Sequence, residues 1–555
     1  MNRSDVEKSS QKITAEPVEL CSLLRKAGYP FDAAMEGIRI SSVTADSRKV
    51  EPGSLFVAVA GSQADGHAFI EQALAGGSIA VVVQDKAHLP KRTKAVVISV
   101  PDSHAALGKL AAAFYDNPAS RLIMIGITGT NGKTTTSYLV EGLLRTAGAK
   151  PGVLGTVNYR YADRIVPAAL TTPGSEELHR LLRHMVDSGV THVVMEVSSH
   201  ALQQGRLAGL QFDIAAFTNL SRDHLDYHHS MKQYYASKLL LFSKYLRPGG
   251  KAVVVAGGNG TECGTEEKRD WAMRLTKDIE RATALKSGNR AEVITCGDAG
   301  EIRPRQLAVD LTGIHGGILT PAGEFDLHSP LVGSFNVDNL LCAAGIGLGL
   351  EIGPQIIGPA LSGVPGVPGR LERVVTSKKI DVFVDYAHTP DAMENVLVTL
   401  RRLSRARLLV VFGCGGDRDV GKRSVMGEIA ARLADGVLIT SDNPRSEDPT
   451  AIIAEIEKGV VGLPIRRQRA EVFLMNGLRG CYDVISDRRL AIRTAVLFSS
   501  PGDVVLLAGK GHEDYQMVCG RKIFLDDRLE ARACLQQWQA ADQGGNMVLR
   551  GGGQR

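Results

Sequence analysis

Between residues 121 and 144 a strand pattern, a glycine loop and a helix pattern follow one another, and this stretch constrains the fold more than any other. The apolar run Leu122 to Ile127 reads as a buried parallel strand. It breaks at Gly129-Thr-Asn-Gly-Lys-Thr134, and from Tyr138 to Leu144 apolar residues recur at helical spacing. This order suits nucleotide phosphates. Glycines let backbone N–H groups approach the oxygens, the helix N-terminus favours negative charge, Lys133 reaches outer phosphates and Thr134 can hold Mg²⁺. The spacing departs from G-x-x-x-x-G-K-[ST], because Ile127 stands where the first glycine would be.

A chain of 555 residues predicts about three to four domains. Apolar residues make up 44% and charged residues 23%, ordinary for a soluble globular protein. A net charge of +5 suits anionic ligands but is not the clustered basic footprint of a nucleic-acid binder. The eight cysteines are scattered without a C-x-x-C pair, which argues against a zinc site or disulfide framework and for reduced thiols in the cytoplasm. The first sixteen residues are polar and no apolar run approaches eighteen residues, so neither a signal core nor membrane insertion is expected.

The pattern predicts an α/β fold of three domains: 1–120, then a central P-loop-type parallel domain over 121–367, then a Rossmann-like domain over 368–541. A disordered tail is expected over 542–555. Pro17 is expected to open a helix over 18–27, and Asn117-Pro-Ala-Ser120 reads as a linker. Strands are predicted at 121–127, 192–197, 214–218 and 251–256, then at 380–384, 407–412, 436–440 and 504–508. The charged stretch 261–290 reads as a solvated helical excursion, and the Gly/Pro cluster 363–369 as a hinge.

Most predicted strands run into polar clusters, the place where ligands collect in open parallel sheets. Glu196-Val-Ser-Ser-His200 and the run Phe217 to His228 follow two strands. Asp385-Tyr-Ala-His-Thr-Pro390, Gly413 to Asp419, Ser441-Asp-Asn-Pro-Arg445 and Gly509-Lys-Gly-His-Glu513 follow four more. A single such cluster is most simply a capped turn; six together with a phosphate loop point to an active site shared between domains.

These motifs, with Asn219-x-x-x-Asp-His-Leu-Asp226, Asn336-x-x-Asn339 and Gly369-Arg370, resemble the Mur ligases, ATP-dependent amide ligases of peptidoglycan precursor synthesis. The similarity runs from about residue 40 to 520. Within the family, Asp442-Asn-Pro-Arg445 resembles the recognition motif of the branch that adds meso-diaminopimelate to UDP-N-acetylmuramoyl-L-alanyl-D-glutamate, the two substrates this implies. The resemblance implies a monomeric cytoplasmic enzyme. ATP would be held by Gly129, Thr130, Asn131, Gly132, Lys133, Thr134 and Thr135, with Asn336 and Asn339 near adenine, Asp385 near the ribose and Arg370 near the phosphates. Mg²⁺ would be held by Thr134, Glu196, His224 and a carbamylated Lys238. Composition alone makes Lys238 an ordinary surface lysine, and histidine is a poor Mg²⁺ ligand on hardness, so both assignments rest on the family. Lys133, Glu196, His224 and Lys238 would form the catalytic set. His228 and His229 read as structural or surface residues.

For the nucleotide-sugar peptide the resemblance points to Ala45, Ser47, Ser62, Gln63, Ala64, Thr171, Thr172, Ser198, Gln204 and Arg206. Leu170 departs from the asparagine that relatives can carry before the threonine pair. For the amino acid it points to Arg418, Asp442, Asn443, Pro444, Arg445, Gly509 and Glu513, where arginines can fork onto a carboxylate and acids can engage ammonium groups. The folylpolyglutamate synthetase branch shares the loop, but a separate N-terminal domain and Asp-Asn-Pro-Arg argue against it. A P-loop kinase would leave the last domain's clusters unused, and no basic–aromatic stripe supports a nucleic-acid-stimulated ATPase.

Overall fold

The computed structural model describes residues 16–61, 64–256, 266–287, 290–374 and 380–543. Close contacts divide it into two compact units. The first comprises residues up to Arg303 with Thr320–Gly323 and Asp338–Ile357; the second comprises Pro304–Leu319, Glu324–Val337 and the chain from Gly358 onward.

The first unit carries two large sheets besides a two-stranded ribbon near its start. A four-stranded parallel sheet runs in the order Ser42–Thr44, Ser54–Val57, Ala80–Val83, Val96–Ser99. The strands Ser54–Val57 and Ala80–Val83 are buried throughout, as expected when helices cover both faces. The second sheet has eight strands, with Ile123–Thr128 between His192–Glu196 and Phe212–Phe217, both parallel to it. Leu246–Val255 and Glu292–Cys296 extend one side; Pro151–Leu154 and the antiparallel pair Asn158–Tyr161 and Arg164–Pro167 extend the other. Glu196 is paired with Ile127 and Phe217 with Thr128. The register therefore brings the ends of three neighbouring strands to one level, beside the glycine loop.

The second unit holds a seven-stranded sheet in the order Glu372–Val374, Asp381–Asp385, Val504–Ala508, Leu408–Phe412, Gly436–Ile439, Cys481–Val484, Arg466–Arg467, parallel except at its first pair. Apolar side chains bury both faces of its central strands. The strands Arg303–Asp310, Gly313–Thr320 and Gly323–Ser329 make a separate sheet. Among the described residues no helix is long and apolar enough to cross a membrane.

Four local expectations change. The first helix is Leu20–Ala27, not 18–27, because Val18 and Glu19 pair with Ile40 and Arg39 as a short antiparallel ribbon. The supposed linker after Asn117 is a short 3₁₀ turn, Pro118–Arg121. Within the charged stretch 261–290, whose residues 261–265 and 288–289 lie outside the described residues, Glu266–Ser287 is a helix but not merely solvated, since Ala272, Leu275 and Ile279 bury one face in the core. The last helix reaches Gln543, two residues into the expected tail, whose remainder lies outside the described residues.

His179 on the helix Ser175–Asp187 is fully buried, with its Nε2 3.1 Å from the carbonyl of Ala208. Burial depresses its pKa to about 4, so the ring is neutral in the fold, while the unfolded chain binds a proton near pH 6.5. Unfolding therefore takes up a proton between those values, and stability is lost as pH falls from 6.5 towards 4, by about 3 kcal/mol at the acid end. Thermal unfolding of wild type and H179Q across this range is expected to show the wild type losing ground as pH drops. A difference independent of pH would exclude this origin.

Candidate active site

The glycine loop Gly129-Thr-Asn-Gly-Lys-Thr134 is held from beneath by its neighbours. Gly129 (φ 154°) and Gly132 (φ 85°) occupy backbone conformations that favour glycine. A Cβ on Gly129 would stand 1.9 Å from Thr218 Oγ1, and one on Gly132 would stand 2.2 Å from Asn339 Oδ1. The chain after Phe212–Phe217 grips the loop: Asn131 N–H donates to Asn219 Oδ1 (3.0 Å), Thr130 N–H to the Asn219 carbonyl (2.9 Å), and Thr218 Oγ1 to the Asn131 carbonyl (2.5 Å). The helix Lys133–Thr146 starts directly after Gly132, so its free N–H groups face the loop. Thr135 is buried in its first turn.

Two lysines converge on this loop. Lys133 Nζ donates to the carbonyls of Gly129 (2.9 Å) and Thr130 (2.8 Å). Lys238 Nζ donates to the same Gly129 carbonyl at 2.8 Å and lies 4.3 Å from the centre of the Tyr234 ring. Lys238 is only 1% exposed, contrary to the surface lysine its composition predicts. Burial, reinforced by the charge of Lys133, holds its pKa well below the ordinary lysine value. Tyr234 also meets Thr130 Oγ1 through its hydroxyl (3.2 Å).

Glu196 sits at the end of its strand and is 1% exposed. Its carboxylate accepts from Thr134 Oγ1 (2.9 Å), Thr156 Oγ1 (2.7 Å) and Thr156 N–H (3.1 Å). Hard oxygen donors on a carboxylate and a hydroxyl are what Mg²⁺ takes, so Thr134 and Glu196 fit that ion. His224 has a left-handed backbone (φ 53°) and an exposed ring 6.1 Å from Tyr234 and 4.9 Å from His200. His228 is structural, buried with Nε2 2.9 Å from Ser199 Oγ and its pKa depressed to about 4 by burial. His229 is exposed.

The residues expected to bind the nucleotide-sugar peptide fall in two places. Thr172 Oγ1 donates to the Glu196 carbonyl (2.8 Å) and accepts from Ser198 N–H (3.0 Å), while Thr171 Oγ1 lies 3.1 Å from Thr156 Oγ1. Arg206 is held by Gln204 Oε1 (2.6 Å) and the Thr172 carbonyl (3.1 Å). Leu170 is exposed, and its carbonyl accepts from Tyr159 Oη (2.5 Å). Ala45, Ser47 and Ala64 lie at the four-stranded sheet, where Ser47 Oγ donates to Gln72 Oε1 (2.9 Å); Ser62 and Gln63 lie outside the described residues. Asn339 belongs to the first unit, beside Gly132, and Asn336 to the second, where its Nδ2 donates to the Val332 carbonyl (2.9 Å).

A separate polar cluster lies at strand ends of the second unit. Asp385 is buried and accepts from Leu371 N–H (2.7 Å) and Ala387 N–H (2.8 Å), and burial raises its pKa. Arg370 lies over the Tyr386 ring, 5.3 Å from its centre. Asn443 Nδ2 donates to Glu513 Oε2 (2.8 Å), joining the loop after Gly436–Ile439 to the loop after Val504–Ala508. Arg445 (φ 53°) pairs through its backbone with Met517 and Cys519, and its Nη1 donates to the Gly416 carbonyl (2.5 Å). Pro444 and Asp442 are buried, Gly509 adopts φ 108° and Arg418 is exposed. Beneath them, Arg488 and Asp527 form a fully buried ion pair, and Arg488 Nη2 donates to the Ala508 carbonyl (2.9 Å), fixing where the second loop begins.

Three residues of these clusters were given no role from the sequence: Thr156, Tyr234 and Lys510, whose Nζ lies 3.2 Å from Glu513 Oε2. Thr156 follows the strand Pro151–Leu154, too short an apolar run to draw attention, although the rule that strand ends feed the site would have found it.

Models of Mur ligase domains match most of the chain: "Mur ligase family, catalytic domain" over 39–115, "Mur ligase middle domain" over 127–347 and "Mur ligase, glutamate ligase domain" over 369–511. The chain is similar to UDP-N-acetylmuramoyl-L-alanyl-D-glutamate–2,6-diaminopimelate ligases. It is 43% identical to that of Geobacter metallireducens over 91% of this chain and 96% of the relative. To that of Synechococcus elongatus it is 44% identical over 92% and 97%. A solved structure of a ligase with the same name aligns over 93% of this chain and 99% of its own, with TM-score 0.67 and 31% identity.

Proposed function

This chain belongs to the Mur ligase family, whose members form amide bonds with ATP, and from that membership we propose that it joins meso-diaminopimelate to UDP-N-acetylmuramoyl-L-alanyl-D-glutamate. The name shared by its relatives supports the substrates. The observation that carries the choice of amine is the Asp442-Asn-Pro-Arg445 loop tied to Glu513, a mixed-charge arrangement suited to a double zwitterion.

A carboxylate does not condense with an amine in water without activation. In the proposed reaction a D-glutamyl carboxylate oxygen takes the γ-phosphoryl group and ADP leaves. The amine nitrogen then attacks the acyl carbon, a proton leaves the nitrogen, and phosphate departs as the amide forms. Both steps crowd oxyanions, so cations and fixed donors matter more than acid–base groups. The loop from Gly129 to Thr135 holds the phosphates with N–H groups, and Lys133 offsets charge on the outer ones. Thr134 and Glu196 would hold Mg²⁺, with His224 and a carbamylated Lys238 completing a second metal position. Bound there, Mg²⁺ supplies Lewis-acid stabilisation of the transferring phosphoryl group.

Carbamylation needs a neutral amine, and the buried Lys238 with its lowered pKa supplies one. Its nitrogen would bond to the carbon of CO₂ and release a proton. Thr171, Thr172, Ser198, Gln204 and Arg206, with Ala45, Ser47, Ser62, Gln63 and Ala64, are assigned to the nucleotide-sugar peptide. Asn336, Asn339, Arg370 and Asp385 are assigned to the nucleoside side of ATP. Arg418, Asp442, Asn443, Pro444, Arg445, Gly509 and Glu513 are assigned to the amino acid. We place the domain boundaries near 120 and 367, which the matched family segments support. A monomer in the cytoplasm suits water-soluble nucleotide substrates.

The test is incubation with ATP, Mg²⁺, the nucleotide dipeptide and either diaminopimelate or lysine. Phosphate release is expected only when dipeptide and amine are both present, with product mass showing diaminopimelate added. Release without amine, or equal use of lysine, would overturn the proposal.

A further inference from the structure

Lys510 belongs to none of the assigned roles, yet it is among the most thoroughly buried cations in the protein, with no exposed side-chain surface. It follows Gly509, two residues beyond the strand Val504–Ala508. Its Nζ lies 3.2 Å from Glu513 Oε2, 3.3 Å from Asn443 Oδ1 and 3.6 Å from Asp442 Oδ1. The first is a charged hydrogen bond within its own loop. The other two reach across to the Asp442-Asn-Pro-Arg445 loop, so one ammonium group fastens the two loops together.

Its neighbours leave little slack. Asn443 spends its Oδ1 on Lys510 and on Met517 N–H (2.8 Å), and its Nδ2 on Glu513. The backbone carbonyl of Asp442 accepts from Gln516 Nε2 (2.6 Å). The Asp442 carboxylate is different: residue and atom are buried, and Oδ1 has no hydrogen-bond partner among the described residues. A buried carboxylate oxygen with an unused lone pair is costly unless something completes it. Lys510 lies at ion-pairing distance but beyond hydrogen-bonding range.

Asp442 and Glu513 together carry −2, and Lys510 reduces the cluster to −1. One ammonium group of an incoming amino acid would bring it to neutral and could supply the donor that Asp442 Oδ1 lacks. Without Lys510 two carboxylates would share a buried site uncompensated and repel one another.

We propose that Lys510 is a positioning residue of the amino-acid pocket, holding Glu513 and Asn443 in place and balancing one of two carboxylates so that the pocket accepts a single ammonium group. This rests on the assignment of that cluster to the amino acid. K510M fills similar volume without the charge. The KM for meso-diaminopimelate is expected to rise at least tenfold. The KM values for ATP and the nucleotide dipeptide should stay within about twofold of wild type, a split that general loosening of the fold does not produce. A wild-type amine KM in K510M, or an equal rise in all three values, overturns the proposal. If K510M is recovered unfolded, K510M/E513Q restores the native charge of the cluster and is expected to fold; a double variant that also fails to fold overturns it. Wild-type protein assayed in parallel separates the two levels. Failure of the wild type to ligate any amine would refute the functional assignment, whereas ligation by wild type with an unaltered amine KM in K510M refutes only the role of Lys510.

Discussion

Replacing Glu196 by glutamine is expected to lower kcat by about 10³-fold, equivalent to about 4 kcal/mol of lost transition-state stabilisation. The side chain receives three donors, two hydroxyls and a backbone N–H, from Thr134 and Thr156. Glutamine keeps the size and one acceptor oxygen, but its amide group turns a donor toward groups that already donate. The negative charge that would balance a metal ion is also lost. The effect should fall on kcat, with the KM for the amino acid unchanged, because that cluster belongs to a different sheet. E196D, which keeps the charge but draws it back by one methylene, should fall between the two. Steady-state kinetics with thermal unfolding of each variant checks this. A kcat within tenfold of wild type for a folded E196Q would remove Glu196 from the site.

Much of the scaffold is legible in the sequence because it rests on local pattern. Apolar runs at 192–197, 407–412, 436–440 and 504–508 are strands within a residue or so of expectation, since a strand buried on both faces needs an unbroken apolar run. The hairpin Asn158–Tyr161 and Arg164–Pro167 is less legible: its strands are short and partly polar, and the turn residue Ala162 has φ 47° without being glycine. Lys238 marks a firmer limit. Its helix Met231–Ser243 has no clear apolar stripe in sequence, and what buries the ammonium group is a carbonyl 109 residues away on the phosphate loop. Lys510 is the same case at shorter separation in sequence: the partners that give it meaning come from Asp442 and Asn443, on a loop that follows a different strand. Sequence patterns mark which strand ends carry polar groups. Which of those groups meet is decided by strand order, which brings Val504–Ala508 between Asp381–Asp385 and Leu408–Phe412.

Arg445→Ala should cost most of the discrimination between meso-diaminopimelate and lysine, lowering the ratio of their kcat/KM values by about 100-fold or more. The two amines differ by the distal carboxylate, so a group that recognises that carboxylate acts on one substrate alone. Arg445 suits this role. Its backbone is fixed by hydrogen bonds with Met517 and Cys519, and its Nη1 is committed to the Gly416 carbonyl. A guanidinium has five donors, so one carbonyl bond orients the fork and leaves donors for a carboxylate. Alanine would keep the backbone bonds and inherit the same φ of 53°, so the loop's conformational cost is little changed and the fold should be retained. Lysine at this position would restore charge without the fork and recover only part of the ratio. The measurement is kcat/KM for both amines on wild type, R445A and R445K. An unchanged ratio in R445A would mean that the distal carboxylate is recognised elsewhere, with the exposed Arg418 the next residue to replace.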